Sequence, residues 1–171
     1  YLALTRQTEA NTNQDLKNES DMIFMLLSQL DKEIEDFYTI KTIEKAGISN
    51  SKRHAGAEGI IKFCIEYSTE YADLFEAEPD ITFASLYESR QLLLIADSFR
   101  LIEERIKLGR SKDINIVLSE KVNAYYECKL RHPFLQLNEA FIAYGQTEQF
   151  YVRKIQSFIN GREIIMRSIS V

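Results

Sequence analysis

Proline and glycine are scarce in this chain, with 2 Pro and 6 Gly among 171 residues. A β-sandwich or barrel needs turn residues about every 8–12 positions, so that class is excluded. Cysteine is scarce too. Cys64 and Cys128 allow one bridge or two free thiols, but not a disulfide framework. No apolar run approaches the roughly 18–20 residues of a membrane-spanning helix, and no signal-peptide pattern is present. Charge of one sign is missing as well. The 21 basic and 26 acidic side chains are interspersed, and the net charge of −5 gives no attraction to phosphate. The short basic groups Lys52–Arg53–His54 and Arg105–Lys112 lack interleaved aromatics and read as a solvated loop and helix end. Direct nucleic-acid binding is therefore not expected. The chain starts at Tyr1 rather than Met, as expected of an excised or processed piece.

Short chemical motifs are absent from the sequence. It holds no GxGxxG, GxxxxGK[ST], CxxC or HExxH. The Glu-x-x-His of di-iron bundles is ruled out by identity, because Ser51 and Lys129 stand three residues before His54 and His132. Cys128 and His132 have i, i+4 spacing, but Pro133 disturbs that turn and a structural metal site needs about four ligands. Cys64, between Ile60 and Tyr67 on an apolar stripe, reads as a buried inert thiol. No nucleophile–base pair can be assigned. The expectation is a non-enzymatic protein without catalytic residues, metal or cofactor.

What is present is helical periodicity in a chain that is 45% apolar and 27% charged. Residues 1–19 are a polar lead-in rich in Thr, Asn and Gln. From Ser20, a good N-cap, the residues Ile23, Leu27, Leu30, Ile34 and Phe37 recur every three or four positions. This spacing predicts a helix over 20–46, stopped by Gly47, and a loop over 47–56. A second helix is expected at 57–77, ended by Pro79. Asp80 opens a third that runs to Gly109, and its LLLIA segment places it centrally. Ser111 or Asp113 caps a fourth over 114–131, with Val117, Leu118, Val122, Tyr125 and Tyr126 on its stripe and a kink at His132–Pro133. The last segment repeats every 3.5 residues through Phe134, Leu137, Phe141, Tyr144, Glu148, Tyr151, Ile155 and Phe158. Arg162, Ile165 and Ile169 continue it, with Glu148 and Arg162 as polar exceptions. A long helix over 133–160 follows from that repeat, with Gly145 and Gly161 as weak points. The fold class read from this pattern is all-α. It is an up-and-down bundle of about five helices with a long C-terminal helix, forming one domain over 20–171.

Candidate functional residues are polar groups on apolar stripes. Arg90 stands between Tyr87 and Leu94, and a buried arginine must find a carboxylate or line a cavity that holds an anion. Tyr67, Tyr71, Tyr87, Tyr125 and Tyr126 are candidates to join Arg90 in a ligand pocket between helices, since tyrosine combines an apolar body with a polar tip. These features suit a sensory or regulatory domain that forms a homodimer through its long helices and takes a small-molecule ligand. Long first and last helices fit an extracytoplasmic sensor with flanking membrane segments, while a cytoplasmic regulator is equally open. The series 20–46, 57–77 and 80–109, ending in LGRSKDIN, resembles the effector-binding domain of the tetracycline-repressor family. That resemblance rests on helix pattern and implies a transcriptional regulator, although residues 1–19 hold no helix-turn-helix. A helical protein-interaction scaffold, pairing through the 134–169 seam, is the remaining class.

Overall fold

The computed structural model describes residues 1–170 and is mostly helical, at 78%, with one small two-stranded sheet. The expected stripe of the first helix is present: Ile23, Leu27, Leu30 and Ile34 are all buried. Its boundaries differ from the expectation. Helix α1 runs from Leu2 to Asp36, so Ser20 lies inside it rather than capping it, and the polar lead-in is helical. At about 1.5 Å per residue α1 is roughly 52 Å long. Residues 1–15 are exposed throughout, and they lie beyond any cover from the rest of the chain.

The helix ends where β-branched residues crowd together. Tyr38–Lys45 forms β1 and Ile48–Ala55 forms β2, an antiparallel hairpin in register from Tyr38↔Ala55 to Lys45↔Ile48. This corrects both the helix expected to run on to residue 46 and the loop expected at 47–56. Thr39, Ile40, Thr42 and Ile43 favour a pleated strand over a helix. Ala46 and Gly47 make the two-residue turn with φ of 54° and 77°, the positive pair that a type I′ hairpin requires. Gly47 is thus a turn residue and not a helix stop. Gln91 fastens the hairpin base, donating to the Tyr38 carbonyl at 3.1 Å and accepting from its N–H at 3.0 Å.

Gly56–Thr69 forms α2 and Tyr71–Ala77 forms α3. A 3-10 turn at Phe83–Ser85, held by a Thr82–Ser85 capping box, precedes α4, Tyr87–Leu108. The expected Asp80 start therefore moves to residue 87. Gly109 ends α4, and Ser111 caps α5, Lys112–Tyr125, by accepting from the Ile114 N–H at 3.3 Å, both as the sequence predicts. A π turn at Tyr126–Leu130 joins α5 to α6, Arg131–Ala143, without a break. Pro133 has no N–H to give to the preceding turn, and the widened turn absorbs that loss and the expected kink. Helix α6 stops before Gly145, whose φ of 65° no helix accommodates, and α7 begins at Phe150 and ends at Ile169. The single helix expected over 133–160 is therefore two helices.

Contacts fix the directions. Glu33 accepts from Ser98 near the C-terminal end of α1, and the Glu19 carboxylate accepts from the Arg110 N–H at 3.2 Å at its midpoint, so α1 and α4 are antiparallel. Tyr125 donates to Asp31, and Lys121 lies over Phe24, so α5 runs with α1. Gln156 meets Asn138, and Arg131 meets Glu163, so α7 runs against α6. Phe158 packs on Phe99 at 5.4 Å, and Arg162 on Glu103, so α7 runs with α4. The start of α1 and the end of α7 consequently lie at the same end of the molecule, with the hairpin at the other.

Candidate functional site

The six residues singled out by sequence are scattered. Arg90 is exposed, and Tyr87 is 54% exposed on the outer face of α4, where its ring packs on Tyr38 at 5.0 Å. The buried stripe of α4 instead runs through Ser89, Leu92, Ile95, Phe99 and Ile102. The premise of a buried arginine at position 90 is thus corrected: the stripe Tyr87–Arg90–Leu94 faces water.

Tyr67 and Tyr71 do meet, stacked at 5.2 Å. Tyr67 is fully buried, with Phe75, Phe83, Phe141 and Tyr144 around it at 5.6–5.7 Å. Its hydroxyl donates to Gln146, and Tyr144 donates to its carbonyl at 2.6 Å. Burial pushes the Tyr67 hydroxyl well above its ordinary pKa and that of Tyr71 up to about 12. This is an aromatic core in which the Tyr67 and Tyr144 hydroxyls are satisfied within the protein. Val117, expected on a buried stripe, is 61% exposed on α5. Tyr125 points to Asp31 and Lys129, with burial raising its pKa to about 12. Tyr126 is buried and donates to Glu163 at 3.0 Å. The two successive tyrosines therefore serve different contacts.

Both thiols are free. Cys64 is buried and its pKa is raised by desolvation, as an inert core thiol requires, whereas Cys128 is exposed. Among the described residues no three His, Cys, Asp or Glu side chains converge on a metal-sized site.

The residues that build a site lie between α4 and α7. Arg162, one of the two polar exceptions in the C-terminal repeat, is the buried arginine, and its side chain is only 3% exposed. Its guanidinium sits between the rings of Phe99 and Tyr126, at 5.6 and 5.4 Å. One terminal nitrogen donates to Glu103 and the other to Asn123 at 2.6 Å. The third nitrogen, Nε, is buried with its N–H unpartnered. An unsatisfied buried donor of this kind costs about 1–3 kcal/mol, more when charged.

Arg162 lines a cleft of about 590 Å³ along the α4/α7 groove and a smaller pocket of about 160 Å³ towards α5. Apolar Leu93, Ala96, Phe158 and Ile165 form one part of the larger cleft. Its size suits a small organic molecule. Sequence reasoning found the right rule, that a buried arginine marks an anion partner or cavity, but applied it to the wrong residue. The signal for Arg162 was its place in register with Ile155, Phe158 and Ile165.

A second ionic lock sits beside the cleft. Arg131 grips both oxygens of Glu163, at 2.9 and 3.1 Å, and reaches Glu127 at 3.1 Å. The guanidinium and the Tyr126 hydroxyl hold the Glu163 carboxyl below its ordinary range, against some desolvation. This lock fixes α7 to the π turn and α6. No protein-family model, curated protein or solved structure matches the chain.

Proposed function

We propose that this chain is a non-enzymatic sensory or regulatory domain that dimerises and binds a small ligand between α4 and α7. The observation that carries the reading is the wall of the α4/α7 cleft. Helix α7 supplies Ser157, Phe158, Arg162 and Ile165 to that wall, and it runs antiparallel to α1, toward the end of the domain from which α1 starts. A molecule that fills the cleft bears directly on a rod that reaches the end of the domain, which is the geometry of a transmitted signal.

Four rods support an up-and-down bundle in this reading: α1, α4, the α5–π–α6 unit and α7, alternating in direction. The hairpin, α2 and α3 complete the end away from the start of α1. With the α1 and α7 ends on one side, the domain suits attachment to a single membrane surface or to one partner domain. No described helix is long and apolar enough to cross a membrane.

Support for the dimer comes from α1. Its first turns are rich in Thr and Asn, poor helix formers on their own, and none of residues 1–15 is covered. A second α1 packed alongside would shield Leu2, Thr5, Thr12 and Leu16, which repeat at coiled-coil spacing. Sedimentation equilibrium of wild type and of Thr5→Asp/Thr12→Asp tests this half. A dimer that becomes a monomer in the double variant is expected, and a wild-type monomer at all concentrations refutes it. Saturable thermal stabilisation by a small molecule that is lost in Ser157→Phe, which narrows the cleft, tests the other half.

A further inference from the structure

We propose that the α4/α7 cleft takes a small organic anion, a carboxylate carried on an apolar body, with Arg162 as its anchor. This rests on the reading of the cleft as a ligand site and supplies its chemical class. Three observations converge. The Arg162 Nε–H is buried and has no acceptor, while each terminal nitrogen of the guanidinium has one partner, Glu103 or Asn123, and its plane lies between two aromatic rings. A guanidinium held this rigidly presents its free donor at low entropic cost, and the acceptor that best matches a charged donor is an anionic oxygen.

The second observation is charge. The cleft is lined by four cations, Arg100, Lys107, Lys154 and Arg162, against two carboxylates, Asp97 and Glu103. Both carboxylates are already engaged. Glu103 pairs with Arg162, and Asp97 lies 3.8 Å from Arg100, which also holds Glu104 at 3.0 Å, so the excess positive charge of the lining rests on Lys107 and Lys154, which pair with no carboxylate among the described residues. A cationic cleft in a chain of net charge −5 is a local departure that draws anions in. The third observation is shape. Leu93 and Ala96 of α4 and Phe158 and Ile165 of α7 give the cleft apolar lining, which a bare inorganic anion would leave in contact with water.

In this reading the ligand carboxylate lies toward the Arg162 guanidinium, its chain or ring lies against Phe158 and Ile165, and the Lys107 and Lys154 ammonium groups of the lining add electrostatic attraction. Gly161 offers an independent handle. It lines the cleft, and a Cβ placed there meets nothing within 4 Å. Gly161→Leu therefore places its Cβ in open space and adds bulk to the cleft lining, and it replaces a poor helix residue with a good one.

The test is isothermal titration calorimetry with three probes of equal length, namely hexanoate, hexanol and hexylamine, at constant ionic strength. Inorganic phosphate serves as a fourth. Saturable binding is expected for hexanoate, at least about tenfold tighter than for hexanol or hexylamine, with none for phosphate. Lys107→Glu/Lys154→Glu should weaken hexanoate by about tenfold at unchanged melting temperature. Gly161→Leu should abolish binding at an equal or higher melting temperature. Hexanol or hexylamine binding as tightly as hexanoate, and lost in Gly161→Leu, overturns the anion class while the cleft stands as a ligand site. Hexanoate binding that survives Gly161→Leu overturns the site. Absence of saturable binding by every probe overturns both this inference and the ligand reading on which it rests.

Discussion

The Arg162–Glu103 pair permits a quantitative test of how α7 is held to α4. Arg162→Met removes the guanidinium that sits between Phe99 and Tyr126 and keeps an unbranched apolar side chain in its place. What remains is the Glu103 carboxylate, 27% exposed, and Asn123 without its donor. Removing one partner of a fully buried pair costs about 3–5 kcal/mol. The solvent access of Glu103 reduces that penalty, and loss of the unpartnered Nε–H offsets a further part. About 2–3 kcal/mol is expected, a large share of the roughly 5–15 kcal/mol of a domain. With a urea m-value of about 2 kcal/mol/M, the unfolding midpoint falls by about 1–1.5 M. Glu103→Leu in the same background should recover most of the loss, because a double apolar replacement leaves no unpaired charge. Urea unfolding followed by circular dichroism across the four-member cycle measures this coupling. A single-variant cost below about 0.5 kcal/mol, or a double variant no better than the sum of its parts, refutes the pair as a structural lock.

Three further outcomes are expected. Ala46→Gly relieves a non-glycine residue at φ of 54° in the hairpin turn and should stabilise the protein by about 0.5–1 kcal/mol; a destabilisation would mean the turn is not of this type. The folded Glu163 carboxyl titrates below its ordinary 4.5, so its stabilisation is present above that pH and is lost as pH falls through the folded value. Acid unfolding of Glu163→Gln should accordingly be shallower below about pH 4.5 than that of wild type, and superimposable curves would rule out the lock. Burial raises the Tyr67 and Tyr126 hydroxyls above their ordinary 10.0, which favours the neutral form in the folded state. Stability is then full below about pH 10 and declines as pH rises beyond it, and ultraviolet absorbance should show a group of tyrosines that ionise only with unfolding. Simultaneous ionisation of all the tyrosines near pH 10 in the folded protein would contradict this burial.

The amino-acid sequence by itself determined that most of the chain is helical and which face of several helices is greasy. Ile23, Leu27, Leu30 and Ile34, the end of α4 at Gly109, the Ser111 cap and the buried Cys64 follow from periodicity and local hydrogen bonding, and such effects act within a few residues. The hairpin was legible only in part. Its β-branched run and its Ala-Gly turn were present in the sequence, but Phe37 kept the helical period going, and strand pairing depends on partners as far apart along the chain as Tyr38 and Ala55. The site depended most on tertiary structure. Arg90 and Arg162 occupy equivalent positions in their local patterns, each an arginine among apolar and aromatic neighbours. The packing of α4 between α1 and α7 turned the Tyr87–Arg90–Leu94 face to water and drew Arg162 between Phe99 and Tyr126. A stripe fixes only the angle around one helix. Which of two adjoining stripes becomes interior is settled by how several helices share a core, and that sum over distant contacts is absent from any short window of sequence.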